Sequence, residues 1–212
     1  HEAYFQAFDV LFAWKWMHLS EDFCKGKNNS NDLVFYLKSQ CSEKAKSYYK
    51  LYFTSNHDEN SWNGTEFEKY GAYADLFTVL HFFLPFAVPL IYSGQELPNE
   101  KRLEFFERDP ICWENGIKKN TFYKKLIQIR KQIFEFEKPE IEIFDNGLLI
   151  LSRIGKKNTV KLILNLGVAD ARYIDTLGIS IDNIRVLFEK ENTEEENNGY
   201  LSPAGYLLIE IG

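Results

Sequence analysis

Residues 51–60 read as a short apolar, β-favouring run, Leu51-Tyr52-Phe53-Thr54, that stops abruptly at Asn56-His57-Asp58. Burial accounts for an apolar strand. It does not account for an amide, an imidazole and a carboxylate in succession at the strand's carboxyl end. In folds built on parallel strands the active site gathers where the strands end. A carboxylate accepts hydrogen bonds from hydroxyl groups and an imidazole can donate one, so the trio suits a hydroxyl-rich ligand. The alternative role for an Asp at this place is to cap the next helix.

The elements needed to hold such a trio are visible on both sides. Phe8–Ala13 is β-like, and Asn31-Asp32 can cap a helix running to Ser42. Tyr49–Thr54 is the next strand. The apolar stretch Ala72–Tyr92 contains Asp75, His81, Pro85 and Pro89, so it reads as a buried helix, Phe67–Leu84, joined at the prolines to a strand, Val88–Ser93, and not as a membrane span. This alternation predicts parallel strands with crossover helices. Leu97–Asn120 is an excursion with Pro98 and Pro110, and a helix over Thr121–Phe134 follows. Beyond Pro139 the period changes. Asn146-Gly147 is a hairpin signal, and Gly155–Asn158 is a second turn between Leu148–Ile154 and Thr159–Leu166. Ile184–Phe188 and Tyr206–Ile211 are further strands, and the acidic, Asn-rich stretch Glu189–Gly199 is a solvated loop. The fold class is therefore α/β followed by all-β, with antiparallel pairing in the second part.

Composition narrows the partners. A net charge of −6 over 212 residues, with no Lys/Arg stripe, argues against nucleic acid. No membrane partner is expected. Cys24, Cys41 and Cys112 are an odd number without metal-ligand spacing, so neither a disulfide framework nor a metal site is expected. Trp14, Trp16, Trp62 and Tyr92 could stack on the ring faces of such a hydroxyl-rich ligand. Trp14, just past a strand end, is the best placed, with core packing as its alternative role. His81 reads as a core residue of its helix. Glu96, after the strand at Val88–Ser93, could act on a substrate or pair with a nearby cation, and a structural hydrogen bond or salt bridge is the favoured reading.

Phe53-Thr54-Ser55-Asn56-His57-Asp58 resembles the Phe-x-x-Asn-His-Asp segment of the α-amylase family, glycoside hydrolase family 13. Upstream, Ala7–Trp14 resembles that family's sixth barrel strand. Downstream, Val88–Glu96 resembles the eighth, and Asp109-Pro110-Ile111-Cys112-Trp113 and the Leu126–Arg130 helix pattern follow in the family's order. The resemblance covers most of the chain and is weakest after residue 170.

It implies that residues 1–137 form the C-terminal part of a (β/α)8 TIM barrel and 138–212 an antiparallel β-sandwich. Asp58 would be the catalytic residue that stabilises the transition state on the secondary hydroxyls of the sugar. His57 would bind the same sugar, Asn56 would support the strand end, and Trp14 would stack. The family's nucleophilic Asp and acid/base Glu precede the segment matching residues 1–14. The chain is thus expected to be a C-terminal fragment, inactive alone, of a retaining hydrolase of α-1,4-glucosidic bonds in starch-like glucans. Hydrolase, transglycosylase and isomerase share these motifs. A non-catalytic carbohydrate-binding or assembly module is the alternative. No cofactor is visible, and calcium, whose usual ligands lie mostly upstream in the family, is expected only of the longer parent. The compartment is left open, since any targeting segment would lie upstream. Three strands of a closed barrel leave two open edges and uncover the inner faces of Val10, Tyr52, Phe53 and Leu90, so a second copy or an N-terminal partner chain is expected there.

Overall fold

The computed structural model describes residues 2–41, 49–136, 139–179, 184–190 and 199–211. Strands β1 (Val10–Phe12), β2 (Tyr49–Tyr52) and β3 (Ala87–Pro89) form a parallel sheet in that order. Leu11 pairs with Lys50, and Leu51 with Val88. Helices α1 (Trp14–Cys24) and α2 (Ser30–Gln40) connect β1 to β2. Helices α3 (His57–Trp62), α4 (Glu66–Tyr70) and α5 (Ala74–Phe83) connect β2 to β3, and α6 (Asn120–Gln132) follows β3 after a long excursion.

Each strand is shorter than its apolar run. β3 shows one reason. Leu90 N–H still donates to Tyr52 O at 2.8 Å, but two residues on, Tyr92 N–H donates to the Gln95 side chain at 2.7 Å. A side chain has replaced the ladder partner and the strand ends.

Two helix expectations need correction. The cap of α2 is Asn29, whose Oδ1 accepts from Asn31 N–H at 2.9 Å. Asp32 returns the bond by accepting from Asn29 N–H at 3.1 Å, the reciprocal arrangement of a capping box. This helix stops at Gln40, and the expected end at Ser42 lies outside the described residues. The expected helix Phe67–Leu84 is broken into α4, a 3₁₀ turn at Gly71–Tyr73, and α5. Gly71 sits at φ +53°, where a side chain is strained, although a Cβ there would meet nothing within 4 Å. The backbone conformation, not space, requires glycine. α5 is buried on almost every side, which its apolar sequence demands.

The second part is a five-stranded antiparallel sheet made of β4 (Glu140–Ile143), β5 (Leu148–Ile154), β6 (Thr159–Asn165), β8 (Ile184–Glu189) and β10 (Tyr206–Ile211), in the order β4-β5-β6-β10-β8. Strands β7 (Ala171–Arg172) and β9 (Tyr200–Leu201) pair separately, with helix α7 (Tyr173–Leu177) beside them. The sequence signalled none of these three short elements. The hairpin at Asn146-Gly147 forms as expected. Gly147 is at φ +86°, and a Cβ there would come within 2.7 Å of the Gly167 backbone.

Alternation decides which face of the sheet goes where. Leu149, Leu151, Leu162, Leu164 and Leu208 share a core with α5 and α6. Leu148, Ile150, Ile163, Leu207 and Ile209 pack with Ala171, Tyr173 and Leu201 on the other side. A strand covered on both faces reads as a continuous apolar run, as Leu148–Leu151 does. Among the described residues, the layer opposite the five-stranded sheet consists of the β7–β9 pair and α7. The expected division at 137/138 falls outside the described residues, as do residues 191–198 of the expected loop.

Two arginines hold elements together, one within the first part and one between the two parts. Arg130 on α6 donates to Phe82 O and Leu84 O, both at 2.9 Å, and to Ala87 O, closing the carbonyl end of α5. Arg153 on β5 is buried and donates to Phe83 O at 3.0 Å, Phe136 O at 2.9 Å and Phe134 O at 3.4 Å. Burial pulls its pKa down to about 10.

The sheet edges are partly open. Val10 is 41 % exposed, and Phe12 and Val88 are also exposed. Tyr52 and Phe53, expected to lie uncovered, are buried. Tyr52 packs against Trp16 and His81, and Phe53 against Phe12 and Trp14. None of the three cysteines forms a disulfide. No helix among the described residues is long and apolar enough to cross a membrane.

Candidate active site at the strand ends

Asn56 lies four residues beyond the end of β2 and is the cap of α3. Its buried Oδ1 accepts from Glu59 N–H at 2.8 Å. Capping therefore falls to Asn56, not Asp58. It sets the start of the helix, and the next two residues, His57 and Asp58, project from the first turn with exposed side chains. His57 Nε2 lies 3.4 Å from Asp58 Oδ1. The Asp58 side chain is 47 % exposed, so a ligand can reach it. An acidic group in a helix's first turn is favourably placed against the N-terminal N–H groups.

Thr54, three residues before His57, belongs to a buried polar cluster. Thr54 Oγ1 donates to Glu66 Oε2 at 2.9 Å, and Gln95 Nε2 donates to the same oxygen at 2.6 Å. The Gln95 Oε1 atom takes the Tyr92 N–H. These bonds lock the end of β2 to the turn after β3. Burial pushes the Glu66 carboxyl above its ordinary value, and the Gln95 hydrogen bond, the Lys119 charge and the Thr54 hydrogen bond act in the opposite direction. On the other flank, Glu59 and Lys69 form a buried ion pair at 2.7 Å. Glu96 Oε2 accepts from Gly94 N–H at 3.1 Å, the structural role expected for it.

Trp14 opens α1 at the end of the adjacent strand. It stacks on Phe12 at 5.6 Å and meets Phe53 edge-on at 5.1 Å, while remaining partly exposed. It shares the strand-end side of the sheet with His57, but no contact joins the two. Trp16 is fully buried. Its Nε1–H donates to His81 Nε2 at 2.8 Å, so both residues belong to the core. Trp62, at the end of α3, is exposed and packs against Phe105 and Phe106.

Sequence reasoning did not single out Asn60, Glu66, Phe105 or Phe106. Asn60 sits on α3 with its N–H on Asn56 O at 2.9 Å, but its side-chain partners Lys101 and Leu103 are distant in sequence, and Glu66 and the two Phe residues meet the site only through tertiary contacts. The sole local signal was a Phe-Phe pair inside the charged stretch Lys101–Asp109, where an apolar pair has no helical or strand period to explain it. Among the described residues, no group of three or more His, Cys, Asp or Glu could hold a metal ion.

No protein-family model matches the sequence, and no curated protein matches it. Solved structures do match. An α-amylase from Lactobacillus plantarum superposes with a TM-score of 0.69 at 18 % identity, over 98 % of this chain and 48 % of that one. An Anoxybacillus α-amylase gives 0.71 at 14 % identity, over 97 % and 47 %. A maltogenic amylase from S. marinus gives 0.64 at 20 % identity, over 97 % and 29 %. The chain thus has the fold of part of these enzymes, and it spans about half the length of the first two.

Proposed function

We propose that this chain is the C-terminal half of an α-amylase-like retaining glycoside hydrolase of family 13, acting on α-1,4-glucosidic bonds of starch-like glucans. The observation that carries this reading is the placement of His57 and Asp58. Both are accessible, adjacent, and held by the Asn56 cap at the carboxyl end of a parallel strand, in a fold shared with α-amylases.

Retaining glycosidases need two carboxyl groups about the anomeric carbon and pass through an oxocarbenium-like state. In this reading those two groups come from a complementary half of the barrel, and the chain alone turns over no substrate. Asp58 accepts hydrogen bonds from two ring hydroxyls, and these bonds strengthen as charge develops at the anomeric centre. His57 donates to the same sugar, Asn56 keeps both side chains in register, and Trp14 offers a ring face at the neighbouring strand end. The complementary half, in the same chain or a separate one, covers the open edges of β1 and β3. Parallel sheets are ordinarily buried on both faces.

The test uses the complete protein that contains these residues. Asp58→Asn should lower the release of reducing sugar from soluble starch by about 10²–10³-fold, the order seen when one transition-state hydrogen-bonding group is lost. Its melting temperature should stay near that of the parent. Near-parental turnover would overturn the assignment of Asp58.

A further inference from the structure

We infer that Trp62, Phe105 and Phe106, continuous with His57, form a stacking platform that binds an α-glucan chain beside the cleavage point. Trp62 closes α3, and the two phenylalanines come from the excursion after β3. The Trp62 and Phe105 rings lie 5.3 Å apart, tilted at 42°, Phe106 meets Phe105 edge-on at 4.9 Å and 80°, and the His57 ring stacks on Phe105 at 6.1 Å with an interplanar angle of 24°, so the cluster offers several ring faces and not one flat plane. Through His57 the cluster reaches Asp58 without a break.

Trp62 is 59 % exposed and Phe106 82 %. Exposure alone identifies nothing, but this loop is held out deliberately by polar bonds. The buried Asn60 bridges it with both ends of its amide: Oδ1 accepts from Leu103 N–H at 2.8 Å and Nδ2 donates to Lys101 O at 3.2 Å. Arg102 grips Glu68 with two bonds, at 2.8 and 2.9 Å. Asp109 accepts from Glu104 N–H at 3.0 Å and pairs with Lys101. A loop clamped this way presents its aromatic faces already ordered, so a ligand need not supply that ordering.

The chemistry of the patch selects the occupant. Pyranose rings carry C–H groups on their faces and hydroxyls at their rims. The faces suit aromatic rings, and the rims suit an imidazole and a carboxylate at the platform's edge. The identity of the sugar as an α-glucan rests on the function proposed above.

The experiment is native affinity electrophoresis of the complete protein with Asp58→Asn present, so that the gel polysaccharide is not consumed. Gels contain amylopectin, carboxymethylcellulose or no polysaccharide. Amylopectin should retard the protein. Trp62→Ala and Phe106→Ala should each weaken that retardation about threefold to tenfold, the range of one aromatic contact. Trp62→Phe should retain most of it, and Phe35→Ala, which alters an aromatic ring 78 % exposed on α2, should leave it unchanged. Unaltered binding by both alanine variants would overturn the platform, as would equal retardation by carboxymethylcellulose or none by amylopectin. The proposed activity stands or falls separately, on the effect of Asp58→Asn on turnover.

Discussion

Asn56 and His81 show how single side chains earn opposite roles from similar polarity. Asn56 is buried because its oxygen has one donor to satisfy, Glu59 N–H, and by doing so it aims its two neighbours outward. Asn56→Ala should cost about 1 kcal/mol of stability, the usual cost of losing a cap, and, on the function proposed above, should also reduce turnover by the complete protein. Asn56→Asp, which keeps the acceptor, should recover most of the stability in a urea titration.

His81 is fully buried and accepts the Trp16 N–H, and burial pushes its pKa down to about 3 from 6.5. The unfolded chain therefore binds a proton below pH 6.5 that the folded chain refuses until about pH 3. This contribution is fully present above 6.5 and is lost as pH falls towards 3. His81→Gln, which still offers Trp16 an acceptor, should flatten the acid side of the stability profile by up to about 1.4 kcal/mol per pH unit. Identical profiles for the two proteins would show that His81 is not held neutral.

Elements here are joined by a few buried polar bonds set into an apolar contact. Arg153 places a guanidinium from the antiparallel sheet against three carbonyls, at the end of α5 and after α6. Removing it leaves those carbonyls without that donor in a buried seam. Arg153→Met, which keeps much of the apolar volume, should destabilise the chain by about 2–4 kcal/mol. Calorimetry would also show whether the seam matters to cooperativity: the parent should melt in one transition, and the variant in a broadened or split one. The Thr54–Glu66–Gln95 bridge plays the same part between two strand ends. Glu66→Gln keeps an acceptor for both donors, so the geometry should survive. Its raised pKa means that Glu66 favours the folded state most below its ordinary value of 4.5 and loses that advantage as pH rises through the folded value. The Gln variant should therefore gain stability relative to the parent above that range.

For the molecule as a whole, the two sheets differ in how well they are finished. The antiparallel sheet has cores on both faces. The parallel one leaves Val10, Phe12 and Val88 exposed and presents strand edges that another chain can pair with. The chain by itself should therefore self-associate, and its sedimentation coefficient should rise with concentration. Val10→Lys, which puts a charge on the edge, should suppress this. A monomer at every concentration, with a cooperative melt, would show that the three-stranded sheet needs no partner.

Local signals in the sequence determined a great deal. The 3.6- and 2-residue periods and the turn residues located all three parallel strands, the α2 and α6 helices, the Asn146-Gly147 hairpin and the switch from α/β to antiparallel pairing. The Asn56-His57-Asp58 trio stood out because no burial argument explains its composition. What the sequence left undecided depended on partners far along the chain. Whether Asn56 or Asp58 caps α3 turned on one backbone N–H. The break at Gly71 turned on a positive φ that an apolar helical pattern hides. The burial of Tyr52 and Phe53 came from aromatic neighbours on α1 and α5. Phe105 and Phe106 lie more than 40 residues from His57, and only the fold, through the Asn60 clamp, brings them to its side. Periodicity reports which face of an element is apolar. It carries no information about which distant side chain will meet that face, and the site is made of such meetings.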